Sequence, residues 1–221
     1  MKANMKTKIL FPIIAIITLV LICFALSGCI NLKTKNTPQK YYSLTIDTSA
    51  NSRTITTPKK HQHLKSNFRQ YTLEIYPPQI DPQFSGTNFI YRTSELNYTN
   101  DYYNVFFGFP AEQIQQNTIK YLQTNKIFKY TSDNLYPIKA DYALKINITE
   151  LYADYRNPKT PQAVISIQYV LINTQEQPKI VFNKTFRESI PLTAKSSTAL
   201  VEGWNVGLQK ILDLLQKLPF C

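Results

Sequence analysis

Apolar residues fall into distinct patterns along the chain, and each pattern predicts a different element. Residues 9–26 form an apolar run of 18 residues interrupted only by Pro12 and Thr18, preceded by Lys2, Lys6 and Lys8 and no acid. Such a run is long enough for a short membrane helix, and its length alone does not separate an anchor from a signal sequence. Alternation with a period of two begins later. Tyr42, Leu44 and Ile46 alternate with Tyr41, Ser43 and Thr45, which predicts a first strand. Tyr71, Leu73 and Ile75 alternate with Thr72, Glu74 and Tyr76 until Pro77 and Pro78 stop the run. Shorter strands are predicted at residues 89–93, 102–107 and 127–130, and a longer one passes through Tyr142, Leu144, Ile146 and Ile148. Residues 163–172 are almost continuously apolar, the pattern of a central strand covered on both faces. A turn at residues 175–178 leads to Ile180, Phe182 and Phe186, so residues 163–190 read as a hairpin.

Two stretches change to the helical period. Pro110 suits a first helical turn and Glu112 suits the positive end of the helix dipole, and Ala111, Ile114, Thr118, Tyr121 and Leu122 form an apolar stripe that ends near Asn125. Ser196, Ser197 and Thr198 offer capping oxygens for a last helix, whose apolar positions Val201, Trp204, Leu208, Ile211, Leu215 and Leu218 step by three or four until Pro219. Gly203 and Gly207 sit one turn apart in it and weaken it, which implies close backbone approach to another element. Strands, helix, strands, helix is the order of an α+β domain, an α/β class fold with one mixed sheet and two helices packed on one face.

Charge divides the chain unevenly. Of the formal net charge of +11, residues 1–28 carry +3, residues 29–70 carry +7 and residues 71–221 carry only +1. The body of the domain is thus nearly neutral, whereas a nucleic-acid binder needs a cationic stripe on its folded surface, so no nucleic-acid partner is expected. Residues 31–40 are polar and basic, the composition of a tether, and residues 47–70 are polar with few apolar positions, the composition of a long surface loop. Five glycines against 13 prolines, with 15 Tyr and 12 Phe, fit a packed strand-rich domain.

The end of the first apolar run decides what it is. Leu26, Ser27, Gly28 and Cys29 place a branched residue and two small ones directly before a cysteine, a sequence that resembles the lipobox of bacterial lipoproteins. The motif implies that Cys29 takes a diacylglyceryl thioether and that the chain is cut between Gly28 and Cys29. Small side chains give a protease access to the backbone, and a thiol supplies the nucleophile for the thioether. Buried acyl chains then hold the protein on a bilayer with no spanning helix. The expected organisation is a signal peptide at residues 1–28, a lipidated tether at 29–40 and a domain at 41–218. Ile30 and Asn31 follow the cysteine in place of the Asp that favours inner-membrane retention, so the periplasmic face of the outer membrane of a Gram-negative cell is the expected location. Cys23 leaves with the signal and Cys29 is consumed by lipid, which leaves Cys221 without an intramolecular partner.

A lipobox followed by Tyr41, Tyr42, Ser43 and Leu44, an aromatic segment leading through Pro110, Ala111 and Glu112 into a helix, and a polar hairpin before an amphipathic C-terminal helix resemble the ABC-type transport auxiliary lipoprotein family. The resemblance spans about residues 26–218. That family accompanies paraquat-inducible and mammalian-cell-entry type lipid transport systems. The resemblance implies a compact α/β sheet domain and a non-catalytic accessory role: docking a transenvelope assembly at the outer membrane, with a mammalian-cell-entry type substrate-binding protein, a permease and an ATPase as partners. A homo-oligomer is compatible with that role. The chain itself has no Walker glycine pattern, so a separate subunit must hydrolyse nucleotide.

Candidate chemistry is sparse. His61 and His63, two apart in the basic loop, lack acid or thiol neighbours, and no histidine lies within residues 71–221, so neither a metal site nor a histidine-assisted nucleophile is expected. Glu150 and Asp154 are read as surface charges, and no cofactor is expected. Asn97, Asn147 and Asn183 stand in glycosylation sequons that a bacterial lipoprotein does not use. The aromatic cluster Tyr98, Tyr102, Tyr103, Phe106, Phe107 and Phe109 cannot all face one core. Core packing accounts for some of it, and Tyr102, Tyr103, Phe106 and Phe107 are the candidates for a surface that meets a partner protein or an acyl chain. A second function of another class fits the same sequence: a stand-alone lipoprotein that holds a lipid or glycolipid in an apolar pocket.

Overall fold

A computed structural model describes residues 37–47 and 68–217. Gly28, Cys29, most of the loop at 47–70 with His61 and His63, and Cys221 lie outside them. Among the described residues there are nine strands, β1 (Lys40–Tyr42), β2 (Thr72–Ile75), β3 (Gln79–Ile80), β4 (Asn88–Arg92), β5 (Tyr98–Phe106), β6 (Tyr130–Ser132), β7 (Tyr142–Asp154), β8 (Gln162–Asn173) and β9 (Lys179–Pro191), all in one mixed sheet. Two helices, α1 (Pro110–Thr124) and α2 (Ser197–Gln216), complete the domain with a 3-10 turn at Pro82–Phe84.

β7 organises the sheet. One edge pairs antiparallel with β8 along its length, and β8 pairs in turn with β9. The other edge is tiled by three short parallel pieces in succession: β2 at Tyr142 to Leu144, β3 at Asn147 and Ile148, and β4 at Ala153 and Asp154. β6 extends the sheet beyond β2, and β5 then β1 extend it beyond β4. A bulge between Ile148 and Glu150 reverses which residues of β7 face the helices. Tyr142, Leu144, Ile146 and Ile148 face them before it, and Leu151 and Ala153 after it, all buried. The simple alternation ends at Ile148 for this reason, although the strand continues for six more residues.

Both helices pack on the same face, as their sequence pattern predicts. In α1, Thr118 meets the Tyr169 hydroxyl of β8 at 3.3 Å, and Tyr121 of α1 donates to Asp213 of α2 at 2.8 Å. The Ser196 side chain caps α2 by accepting from the Ala199 amide. Gly203 and Gly207 let α2 press onto β8: a Cβ at 203 would stand 2.7 Å from Ala163 Cβ, and one at 207 would stand 2.7 Å from Ile165 Cγ2. Trp204, fully buried between them, donates its indole N–H to the Val164 carbonyl at 3.1 Å and packs edge-on against Phe89.

Several expectations need correction. β8 is fully covered on both faces only through Ile167; Gln168, Val170 and Ile172 are half-buried on the face away from the helices, where no third layer lies among the described residues. The strand expected at 127–130 begins at Tyr130, because Ile127 and Phe128 are buried in the loop after α1 instead of entering the ladder. The polar segment 47–70 ends on a core residue: Phe68 is buried against Tyr71, Phe128 and Tyr142.

The first strand departs furthest. Only Lys40–Tyr42 joins the sheet, yet Leu44 and Ile46 are buried as the alternation predicts. Their backbone is satisfied by helix side chains in place of a neighbouring strand. The Leu44 amide donates to Gln113 Oε1 at 2.7 Å and the Ile46 amide to Asn117 Oδ1 at 3.2 Å, while Asn117 Nδ2 returns a bond to the Leu44 carbonyl at 2.9 Å. From the other helix, Asn205 Oδ1 accepts from the Thr45 amide at 2.9 Å. An extended segment held by carboxamides of α1 and α2 ties the two helices together.

Candidate functional site

The strongest surface feature lies at the outer end of the sheet, where β1 pairs with β5. Tyr41, Tyr102, Tyr103, Phe107 and Phe109 are all more than half exposed, from 53% to 71%. The cause is local backbone geometry. Phe89 of β4 pairs with Asp101, but its neighbour Asn88 pairs with Val105, so residues 102–104 of β5 have no partner on β4 and bulge away from it. Asp101 holds the bulge. Its Oδ1 accepts from the Tyr103 and Asn104 amides at 2.8 and 3.1 Å, and its Oδ2 accepts from Asn104 Nδ2 at 2.7 Å and from the Tyr91 hydroxyl. Burial alone would raise the Asp101 carboxyl, but the bonds from Tyr91, Asn104 and the two amides outweigh it and hold it below the usual carboxylate range. Burial first, then the Asp101 contact, pushes the Tyr91 phenol well above its ordinary value, so it stays a donor.

β1 runs beside this bulge. Gln39 Nε2 donates to the Tyr102 carbonyl at 2.8 Å, Lys40 lies opposite Asn104, and the Tyr41 hydroxyl donates to Gln39 Oε1 at 3.1 Å. The Tyr41 ring meets Phe107 edge-on at 6.1 Å. Phe107 donates its amide to the Tyr42 carbonyl at 2.7 Å, after which Gly108 at φ 96° turns the chain toward α1 and leaves Phe109 exposed ahead of Pro110. That left-handed turn is one a glycine adopts without strain.

Of the four residues proposed from sequence as a contact surface, Tyr102, Tyr103 and Phe107 are exposed and Phe106 is not. Phe106 is 3% exposed, with its ring 4.7 Å from Phe89 and 5.3 Å from Trp204, so it belongs to the core. The bulge returns β5 to the ladder just before it, which turns Phe106 inward and leaves Phe107 outside. Tyr41 joins the surface although its sequence shows only the outer phase of an alternating strand. Gly28 and Cys29 lie outside the described residues.

Elsewhere, Glu150 and Asp154 are engaged by cations. Arg187 Nε lies 2.5 Å from Glu150 Oε2, and Arg156 Nη2 lies 2.6 Å from Asp154 Oδ2, which holds the Asp154 carboxyl below the usual range. No group of three or more His, Cys, Asp or Glu able to hold a metal occurs among the described residues. An apolar pocket lined by Leu73, Leu122, Phe128, Leu144, Leu171, Phe182 and Leu215 lies between the sheet and the helices, with about 200 Å³ of empty space that includes open solvent. The enclosed part measures only about 10 Å³, room for about one water molecule and far too little for an acyl chain. No helix among the described residues is long and apolar enough to cross a membrane.

No family model and no curated protein matches the chain. The fold does have solved counterparts. Protein XCC0632 from Xanthomonas campestris, of the family DUF330, superposes with a TM-score of 0.62 at 15% identity, over 80% of this chain and 92% of its own. An uncharacterized protein of known structure gives 0.61 at 14% identity, over 81% of this chain and 97% of its own. Lipoprotein GNA1162 from Neisseria meningitidis covers 65% of this chain at 14% identity with a TM-score of 0.28, too low to indicate a shared fold. The first two similarities establish a common α/β architecture over most of the domain.

Proposed function

We propose that this protein is a lipid-anchored accessory subunit of an ABC-type, mammalian-cell-entry type transenvelope lipid transport system, and that it docks the assembly at the outer membrane by protein contact. The observation that carries the proposal is Leu26-Ser27-Gly28-Cys29 standing eleven residues ahead of the first strand. A lipid on Cys29 would hold the domain on the periplasmic face through buried acyl chains. The resemblance to transport auxiliary lipoproteins supplies the accessory role, and the fold shared with a DUF330 protein is compatible with it. In this reading the domain performs no catalysis, takes no cofactor, and engages a substrate-binding protein backed by a permease and an ATPase.

The test has two parts. Cys29→Ala in the native host should abolish incorporation of labelled palmitate and leave uncleaved precursor in the inner-membrane fraction; normal processing of that variant would refute the anchor. Cross-linking of the acylated wild-type protein in intact cells, followed by mass spectrometry, should recover permease, ATPase or substrate-binding subunits of a lipid transporter. Recovery of none of them with the anchor intact would refute the accessory role.

A further inference from the structure

The aromatic edge of β1 and β5 deepens the anchored reading, and it rests on that reading. We propose that Tyr41, Tyr102, Tyr103, Phe107 and Phe109 form a membrane-contacting surface that lies in the headgroup layer of the bilayer carrying the Cys29 anchor. The occupant of this surface is the lipid itself.

Position is the first reason. The chain coming from Cys29 joins the sheet at this edge, where Gln39 bonds the Tyr102 carbonyl and Lys40 lies beside Asn104. Ten residues separate Cys29 from Lys40, so even fully extended the eleven Cα steps between them span at most about 40 Å. The tether therefore enters the domain at this edge and holds it within that distance of the anchored lipid.

Construction is the second. Asp101 accepts from the Tyr103 and Asn104 amides and from Asn104 Nδ2, which fixes the bulge that carries Tyr102 and Tyr103 away from β4. The exposed set is Tyr and Phe without Leu, Ile or Val. Aromatic rings with a polar rim favour the layer between water and acyl chains. Charge is the third. Lys33, Lys35 and Lys40 give the tether three cations and no acid, which draws it toward anionic headgroups.

The test uses the full-length, acylated protein with Cys221→Ser, in which Cys29 is blocked by lipid and Cys23 is removed with the signal. A spin label is placed at Phe109→Cys, which leaves the other four aromatics intact, or at Leu96→Cys. Leu96 is 95% exposed at the turn of the β4–β5 hairpin, roughly 25 Å along β5 from Phe106. In vesicles of phosphatidylethanolamine and phosphatidylglycerol, the label at 109 should be several-fold more accessible to oxygen than to a water-soluble nickel complex, relative to the label at 96. Combining Tyr102→Ser, Tyr103→Ser and Phe107→Ser should abolish that difference while Trp204 fluorescence remains native. An aqueous label at 109 on protein that mass spectrometry shows to be acylated would overturn this proposal and leave the anchor standing. Spin–spin broadening at 109 that reports a second copy, with no lipid exposure, would also overturn it, in favour of a protein interface. Absence of lipid on Cys29 would remove the anchor and this proposal together.

Discussion

Gly203→Ala tests the claim that close approach of α2 to β8 organises the core. Alanine in place of a helical glycine gains about 1 kcal/mol in propensity, so an exposed glycine replaced in this way would stabilise the protein. Here the new methyl would stand 2.7 Å from Ala163 Cβ and 3.0 Å from Leu192 Cδ2. Ordinary carbon contacts lie at about 3.5–4.0 Å. Ala163 cannot rotate away, because its only side-chain atom is fixed by a buried strand between β7 and β9. The helix must lift by nearly an ångström, which also stretches the Trp204 bond to the Val164 carbonyl. Overpacking costs about 1–3 kcal/mol. Net of the propensity gain, the variant should lose up to about 2 kcal/mol, or up to about 8 °C in Tm for a domain of this size. Trp204 is the only tryptophan and is fully buried, so thermal unfolding followed by its fluorescence reads the affected contact directly. Adding Ala163→Gly should return at least about 1 kcal/mol of coupling in a double-mutant cycle. A single variant that melts higher than wild type, or a cycle with no coupling, would refute the close-approach account.

Three further outcomes follow from the same structure. Asn117→Ala removes the partners of the Ile46 amide and the Leu44 carbonyl together; it should cost about 1–3 kcal/mol and raise hydrogen exchange at the Ile46 amide, whereas unchanged protection there would show that the Asn117 carboxamide does not hold the segment. Asp101 has a depressed carboxyl pKa in the folded state, so its stabilising contribution is present above the unfolded value of about 3.9 and is lost as pH falls through the folded value. Acid denaturation of Asp101→Asn, which no longer titrates there, should show a shallower loss of stability below about pH 4 than wild type, and parallel profiles would refute the assignment. Trp204→Phe keeps an aromatic ring in the core but removes the donor to the buried Val164 carbonyl; it should lower stability by about 1–3 kcal/mol, measured by urea unfolding monitored through circular dichroism, and an unchanged midpoint would show the bond to be dispensable.

What the sequence reveals depends on whether the signal is local. The helix starts at Pro110 and Ser196, the hairpin of β8 and β9, and the close approach at Gly203 and Gly207 all follow from residue types that act on their own neighbourhood. Leu44 and Ile46 are legible as buried, but not their partners, because alternation reports which face is covered and says nothing about whether a strand or a helix side chain satisfies the backbone. Phe106 and Phe107 carry the same ring and differ in exposure by the phase of a bulge three residues upstream, which no propensity encodes. Asp101 could have been suspected: an acid flanked by residues that compete for backbone amides is a local signal for a departure from regular pairing. The paired registers of β2, β3 and β4 along one edge of β7 are set by long-range packing and leave no trace in their own short sequences.

The segment from Gln39 to Ile46 links the aromatic edge to both helices. Its first half pairs with the bulge that exposes Tyr102 and Tyr103, and its second half is clasped by Gln113 and Asn117 of α1 and Asn205 of α2. A chain held to a bilayer at Cys29 would therefore pull on the sheet edge and on both helices at once, not on a single frayed strand. Three residues of parallel pairing in β1 are too few to bear a tether alone, since short edge strands open readily. The carboxamide clasp supplies the missing hold. Loosening it by Asn117→Ala removes the bonds to the Ile46 amide and the Leu44 carbonyl and leaves the aromatic edge intact, so the variant should keep its orientation on a membrane while the fold loses stability.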